Sequence, residues 1–203
     1  MKKYELTEET VTVYGKTLYR IRAVRDFGSV KTGEFGGYIE KEENLSHFGN
    51  AWVSGNAWVF DNARVYDDTW VYGNARVYDN AWVFGNAWVF GNAKVYDDAK
   101  VYDDAWVCGD AKVYGDAWVS GNAEVFNTMH FFVQGPIGSR NGFITFYRTK
   151  DNTVEVRCGC FSGSLQKFVD RVEETHGGSR YEKEYKLAAE LAKVCIRLEG
   201  ESR

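Results

Sequence analysis

A six-residue repeat constrains this chain more than any other feature. From Gly49 to Phe126 the sequence runs as 13 consecutive hexads built on Gly/Asp-Asn/Asp-Ala-x-Val. Valine recurs at Val53, Val59, Val65 and every sixth residue to Val125, and alanine stands two residues before it except at Thr69. In Ala-x-Val, strand alternation puts Ala and Val on one face and x on the other. The residues between these triplets are Gly, Asp and Asn, which tolerate the left-handed conformation of a tight corner. Three short strands and three corners make an 18-residue coil, so the hexads give a little over four coils, each advancing about 4.8 Å. Looser hexads flank the run: Leu45-Ser46-His47 before it, with His47 inward, and Met129-His130-Phe131 after it, with His130 outward. They read as the caps a solenoid needs.

Residues 18 apart share a face. One face carries Trp52, Trp70, Trp88, Trp106 and Glu124. A second carries Trp58, Arg76, Lys94 and Lys112, and a third Arg64, Trp82, Lys100 and Trp118. The four-tryptophan ladder has two main readings, with sugar stacking on the indoles a lesser third. Cross-strand stacking accounts for part of it. So large an aromatic row also predicts an interface, and Trp52, Trp70, Trp88 and Trp106 are the candidates for self-association.

The Val53…Ala57 spacing, aliphatic at one position and small four residues later, resembles the left-handed parallel β-helix of hexapeptide-repeat proteins. The segment FGGYIEKEENLSHFGNAWV is similar to the start of such proteins encoded by phages and prophages. The handedness comes from that resemblance, since parallel crossovers are otherwise right-handed. It implies a mainly β fold of about four to five coils, oligomeric as a trimer or dimer, and cytoplasmic in the host cell. One departure is the Tyr or Phe after most valines, where the family often has a small or acidic residue.

The expected organisation has three parts. Residues 1–44 form a β-rich cap, with a hairpin turning at Tyr14-Gly15-Lys16 and a loop at Gly33, Gly36 and Gly37. Residues 45–131 form the β-helix. Residues 132–203 form a small α+β domain. In it, Phe143-Ile144-Thr145-Phe146-Tyr147 and Thr153-Val154-Glu155-Val156-Arg157 make a hairpin. A first helix buries Leu165, Phe168, Val169 and Val172. A second, opened by the capping box Ser179-x-x-Glu182, buries Ala188, Leu191, Cys195 and Leu198.

Charge and chemistry narrow the function. The chain has 25 basic and 29 acidic residues, and residues 49–126 alone carry net -6. Direct nucleic-acid binding is not expected of such a balance. The acidic edges follow from corner residues, or mimic a DNA backbone. There is no stretch of 18 apolar residues and no apolar leader, so neither a membrane span nor a signal is expected. Acyl transfer, common among hexapeptide-repeat enzymes, needs a histidine base. The hexads hold none. His47, His130 and His176 read as structural, with His130 the candidate base of the runner-up reading. Cys158-Gly159-Cys160 is too close-spaced for a zinc pair and reads as core on one strand face. No catalytic residue, metal or cofactor is assigned.

The loop Gly135 to Gly142 is the best ligand site. Its glycines let amides converge on an anion, and Arg140 grips a phosphate or carboxylate. Ser139, Arg140 and Arg157 are the candidate ligand-binding residues. The reading is a non-enzymatic binding protein, with the phage-type resemblance implying counter-defence by binding a host protein or sequestering a nucleotide signal. The alternatives are an acyl-CoA-dependent transferase and a structural rod.

Overall fold

A computed structural model of the chain describes residues 2–199; residue 1 and residues 200–203, the outermost parts of the first and third segments, lie outside it. The fold is mainly β: a parallel β-solenoid with an antiparallel hairpin at one end and a four-stranded sheet bearing two helices at the other. No helix among the described residues is long and apolar enough to cross a membrane.

The cap begins with β1 (Tyr4–Val13) and β2 (Lys16–Ala23), which pair antiparallel across Tyr14-Gly15. Strand β3 (Phe35–Ile39) adds to β2 and then runs parallel to the first coil, Tyr38 opposite Trp58 and Ile39 opposite Val59. Gly36 and Gly37 therefore lie in a strand rather than in the expected loop. A Cβ on Gly37 would sit 2.6 Å from the Ala57 carbonyl oxygen, so only glycine admits this close approach.

The 13 hexads each give one two-residue strand, β4 (Trp52–Val53) to β16 (Glu124–Val125). Their register is the one the 18-residue period predicts: Trp52 pairs with Trp70, Trp58 with Arg76 and Arg64 with Trp82. Every valine and alanine of the run is at most 1% exposed. Each buried valine is worth about 1.5–3 kcal/mol. Amides of one coil donate to carbonyls of the next, as Ser54 N–H to Val71 O at 2.9 Å. The corners use positive φ at Gly55, Asp61, Asp67 and their counterparts. Asparagine side chains add amide ladders, Asn74 to Asn92 to Asp110, at 3.2 and 3.1 Å.

The coil begins earlier than expected. Leu45, not His47, occupies the valine position, bridging Val65, and Ile39 precedes it by six residues. With these two rungs the solenoid has 15, or five coils. Leu45 and Val53 are eight apart, so His47 and Phe48 are an insertion. His47 leaves the interior and stacks on Tyr4 at 4.3 Å.

Most of the tyrosines and phenylalanines that follow the valines form stacked columns. Phe60, Tyr78, Tyr96 and Tyr114 stack at 5.1, 5.1 and 5.5 Å. Tyr66, Phe84 and Tyr102 follow at 5.0 and 4.9 Å. Each ring therefore packs on a ring of the neighbouring coil rather than standing alone.

The terminal module comprises β17 (Phe131–Ile137), β18 (Gly142–Arg148), β19 (Val154–Cys158) and β20 (Phe161–Ser164), paired antiparallel in chain order. Helices α1 (Leu165–His176) and α2 (Arg180–Cys195) pack on it. Ser179 caps α2, accepting from the Glu182 amide, while the Glu182 carboxylate reaches past it to Gly178 N–H at 2.7 Å. The buried stripe of α2 is Tyr185, Ala188, Ala189 and Ala192, continued by Ile196. Leu191 and Cys195 are exposed, because α2 meets the sheet with the face one residue over. Strand β18 closes the end of the rod. Thr145 Oγ1 accepts from Trp118 N–H at 3.0 Å, and the buried Arg148 pairs with Glu124 at 2.6 Å and Glu199 at 3.0 Å.

Candidate functional site

A cleft of about 610 Å³ lies where the terminal module meets the last coil. That is within the roughly 300–1,000 Å³ range of small-molecule sites. Its lining brings together Ser139, Arg140 and Arg157 from the sequence reading with Asp116 and Trp118 of the rod, and Arg171 and His176 of α1. Phe143, Phe161 and Tyr185 supply an aromatic wall.

Each arginine is placed by its element. Arg140 lies in the turn 138–141 that joins β17 to β18, closed by the Ile137–Gly142 pair. Gly138 makes this turn possible, since it has φ +73 and an added Cβ would fall 1.9 Å from the Tyr185 hydroxyl. Its amide donates to Glu184 at 2.8 Å. The expected convergence of glycine amides on an anion is thus corrected at Gly138, whose N–H is already satisfied. Arg157 lies on β19. Its guanidinium sits 5.5 Å from the Trp118 ring and 5.8 Å from Tyr102, and its buried Nε has no hydrogen-bond partner. Stacking of this kind fixes the plane of a guanidinium and leaves its edge for an anion.

The electrostatics follow. Among the described residues neither Arg140 nor Arg157 has a carboxylate within ion-pair distance, whereas Arg171 pairs with Glu174 at 3.2 Å. In a chain with more acid than base, two unpaired arginines open on one cleft. Burial raises the pKa of the Cys158 thiol and of the Tyr185 phenol, so both stay neutral. A neutral thiol is a poor nucleophile.

Other expectations meet different surroundings. Cys158 and Cys160 do not share a strand face. Gly159, at φ 56, and Cys160 form the two-residue turn between β19 and β20, leaving Cys160 exposed. His130 is not outward. The turn 127–130 breaks the alternation, and the ring is buried against Phe126 at 3.9 Å, with Nε2 3.0 Å from Asn127 Nδ2. Burial, with Arg148 alongside, lowers its pKa to about 4. His176 ends α1 and packs 5.6 Å from the Tyr185 ring. No group of three or more His, Cys, Asp or Glu among the described residues is arranged to hold a metal ion.

The tryptophan ladder has the expected register, but its members differ. Trp52 is 2% exposed, covered by Phe27 at 5.3 Å and Tyr4 at 6.4 Å of the cap, so it is not available to a partner. Trp88 is 39% exposed and stacks on Trp106 at 5.7 Å, where Lys150 covers the ring at 4.4 Å. Sequence reasoning missed Asp116, Trp118, Arg171 and Tyr185 in the cleft. Only Trp118, the last tryptophan of the rod, carried a signal, being a large outward side chain beside the domain boundary.

The YdcK β-solenoid repeat model matches residues 70–85 and 75–91, a short part of the rod. No curated protein matches the chain.

Proposed function

We propose that this chain is a non-enzymatic binding protein that captures a small anionic ligand, of nucleotide class, in the cleft between the rod and the terminal module. The observation that carries this reading is the pair of unpaired arginines, Arg140 and Arg157, beside an aromatic wall. Arginines favour phosphate or carboxylate oxygens, and the rings favour a planar group. In the setting implied by the phage-type resemblance, such capture removes a nucleotide signal of a host defence. Self-association through Trp70, Trp88 and Trp106 belongs to the same reading, as does a cytoplasmic site of action.

Titration calorimetry with mono-, di- and cyclic nucleotides, and with inorganic pyrophosphate, tests the ligand. A charge-assisted hydrogen bond is worth about 1.5–3 kcal/mol, so Arg157→Ala and Arg140→Ala should each weaken binding roughly ten- to a hundredfold. Wild-type affinity in Arg157→Ala, or no binding by any of these anions, overturns the reading. Native mass spectrometry of freshly purified protein gives a second readout, in which a retained coenzyme A mass favours acyl transfer instead.

A further inference from the structure

Two of the free cysteines share one turn and one cleft. Strands β19 and β20 are joined by Gly159 and Cys160, with Cys158 paired to Phe161 across the turn. Gly159 takes φ 56, which lets the chain reverse there. Two Cα steps of about 3.8 Å, folded through such a turn, leave the Cα atoms of Cys158 and Cys160 about 5.5 Å apart. That is inside the roughly 4.4–6.8 Å span of disulfides. Cys160 lies close enough for its charge to disfavour a Cys158 thiolate, while the Tyr185 hydroxyl hydrogen-bonds the Cys158 sulfur.

The two thiols are not equivalent. Cys160 is exposed and Cys158 half-buried, so an incoming reagent meets Cys160 first. Both line the cleft beside Arg140 and Arg157, the two arginines without a carboxylate partner. Positive charge beside a thiol favours its thiolate. It also gathers reagents that carry carboxylates or phosphates. Cys195 provides the contrast, since it too is exposed but stands on α2, apart from the residues that line the cleft.

From this arrangement we infer that Cys158 and Cys160 form a thiol pair that exchanges with the disulfide of a small anionic thiol drawn into the cleft. The inference rests on the reading of the cleft as an anion site. The Cys160 thiolate attacks one sulfur of the small disulfide. That S–S bond breaks, a mixed disulfide forms on Cys160, and the first small thiolate leaves with the electron pair. The Cys158 thiol then loses its proton to water, and its sulfur attacks that of Cys160, releasing the second small thiolate. The two released thiolates take up the two protons that the cysteines lost. The protein pair is oxidised by two electrons, and the small disulfide is reduced to two thiols. A small fraction of Cys158 thiolate suffices, because this attack is intramolecular.

The test exposes the reduced full chain to the anionic disulfide of glutathione or to the cationic disulfide cystamine. Acid quenching, alkylation and peptide mass spectrometry then follow each cysteine. Dividing each rate by that in the urea-unfolded chain removes the intrinsic reactivity of the reagent. The expected product is a Cys158–Cys160 disulfide, formed roughly tenfold faster with glutathione disulfide than with cystamine. Cys158→Ser should trap one glutathionyl group on Cys160, Cys160→Ser should leave Cys158 reduced, and Arg157→Ala should narrow the preference for the anion. Circular dichroism checks that the variants keep the fold. The inference fails if Cys160 reacts no faster than Cys195, if cystamine reacts as fast as glutathione disulfide, or if Cys158→Ser carries no adduct. Calorimetry of the reduced wild type with pyrophosphate reads anion capture separately. Pyrophosphate binding without exchange refutes the thiol pair and leaves anion capture standing, whereas exchange with no charge preference and no pyrophosphate binding refutes both.

Discussion

Burial holds His130 neutral at the joint between rod and terminal module. The residue is 4% exposed, and the Arg148 guanidinium beside it further disfavours a second positive charge. The unfolded chain takes up this proton near pH 6.5, while the folded chain resists it until about pH 4. Between those values the unfolded state holds more protons. Stability should therefore be fully present above about pH 6.5 and fall as the pH drops toward 4, by up to about 3 kcal/mol from this residue. Urea unfolding from pH 7 to pH 4 measures it. His130→Gln should flatten the profile in that window, and an identical slope in the variant would sink the assignment. The periodic pattern placed His130 outward, and nothing local in the sequence signalled the turn that buries it.

At the scale of the element, the corner decides whether a coil closes. Asp97 adopts φ 58, and its carboxylate accepts from the Gly115 amide of the next coil at 3.0 Å. Asp97→Gly keeps the backbone freedom and loses the bond, while Asp97→Ala loses both. Alanine in this conformation costs roughly 1–2 kcal/mol more than glycine. Thermal unfolding should rank wild type above Asp97→Gly and Asp97→Ala last. Equal stability of the two variants would show that the corner is not conformationally strained. The interchange of Gly and Asp at this position was legible in the sequence, since both residue types visit the left-handed region. The ring columns were not: tyrosine after valine says nothing alone about whether it meets another ring 18 residues on.

For the whole molecule, the ends of the rod decide which surfaces are left. The N-terminal cap takes Trp52, Lys150 takes part of Trp106, and Trp88 is the most exposed member of the ladder. If a second copy binds this face, native mass spectrometry should show an oligomer that Trp88→Ala shifts toward monomer. A wild-type monomer at micromolar concentration would exclude self-association there. The same closure creates the cleft. Arg157 arrives over Trp118 because β18 and β19 lie across the last coil, not because the two residues are near in sequence.

The sequence by itself determined the solenoid, its three faces and the residue on each, because every rung repeats one local conformation and a fixed period carries register from coil to coil. It also determined that Ser139, Arg140 and Arg157 belong to a loop and strand beside the rod. Only the tertiary structure decided that these residues face a common cleft, that Trp52 and His130 are buried, and that α2 buries Ala189 and Ala192 while leaving Leu191 outside. Those outcomes depend on where non-repeating segments fold back. That is set by contacts between distant residues, such as Phe27 with Trp52 and Arg157 with Trp118, which no local period encodes.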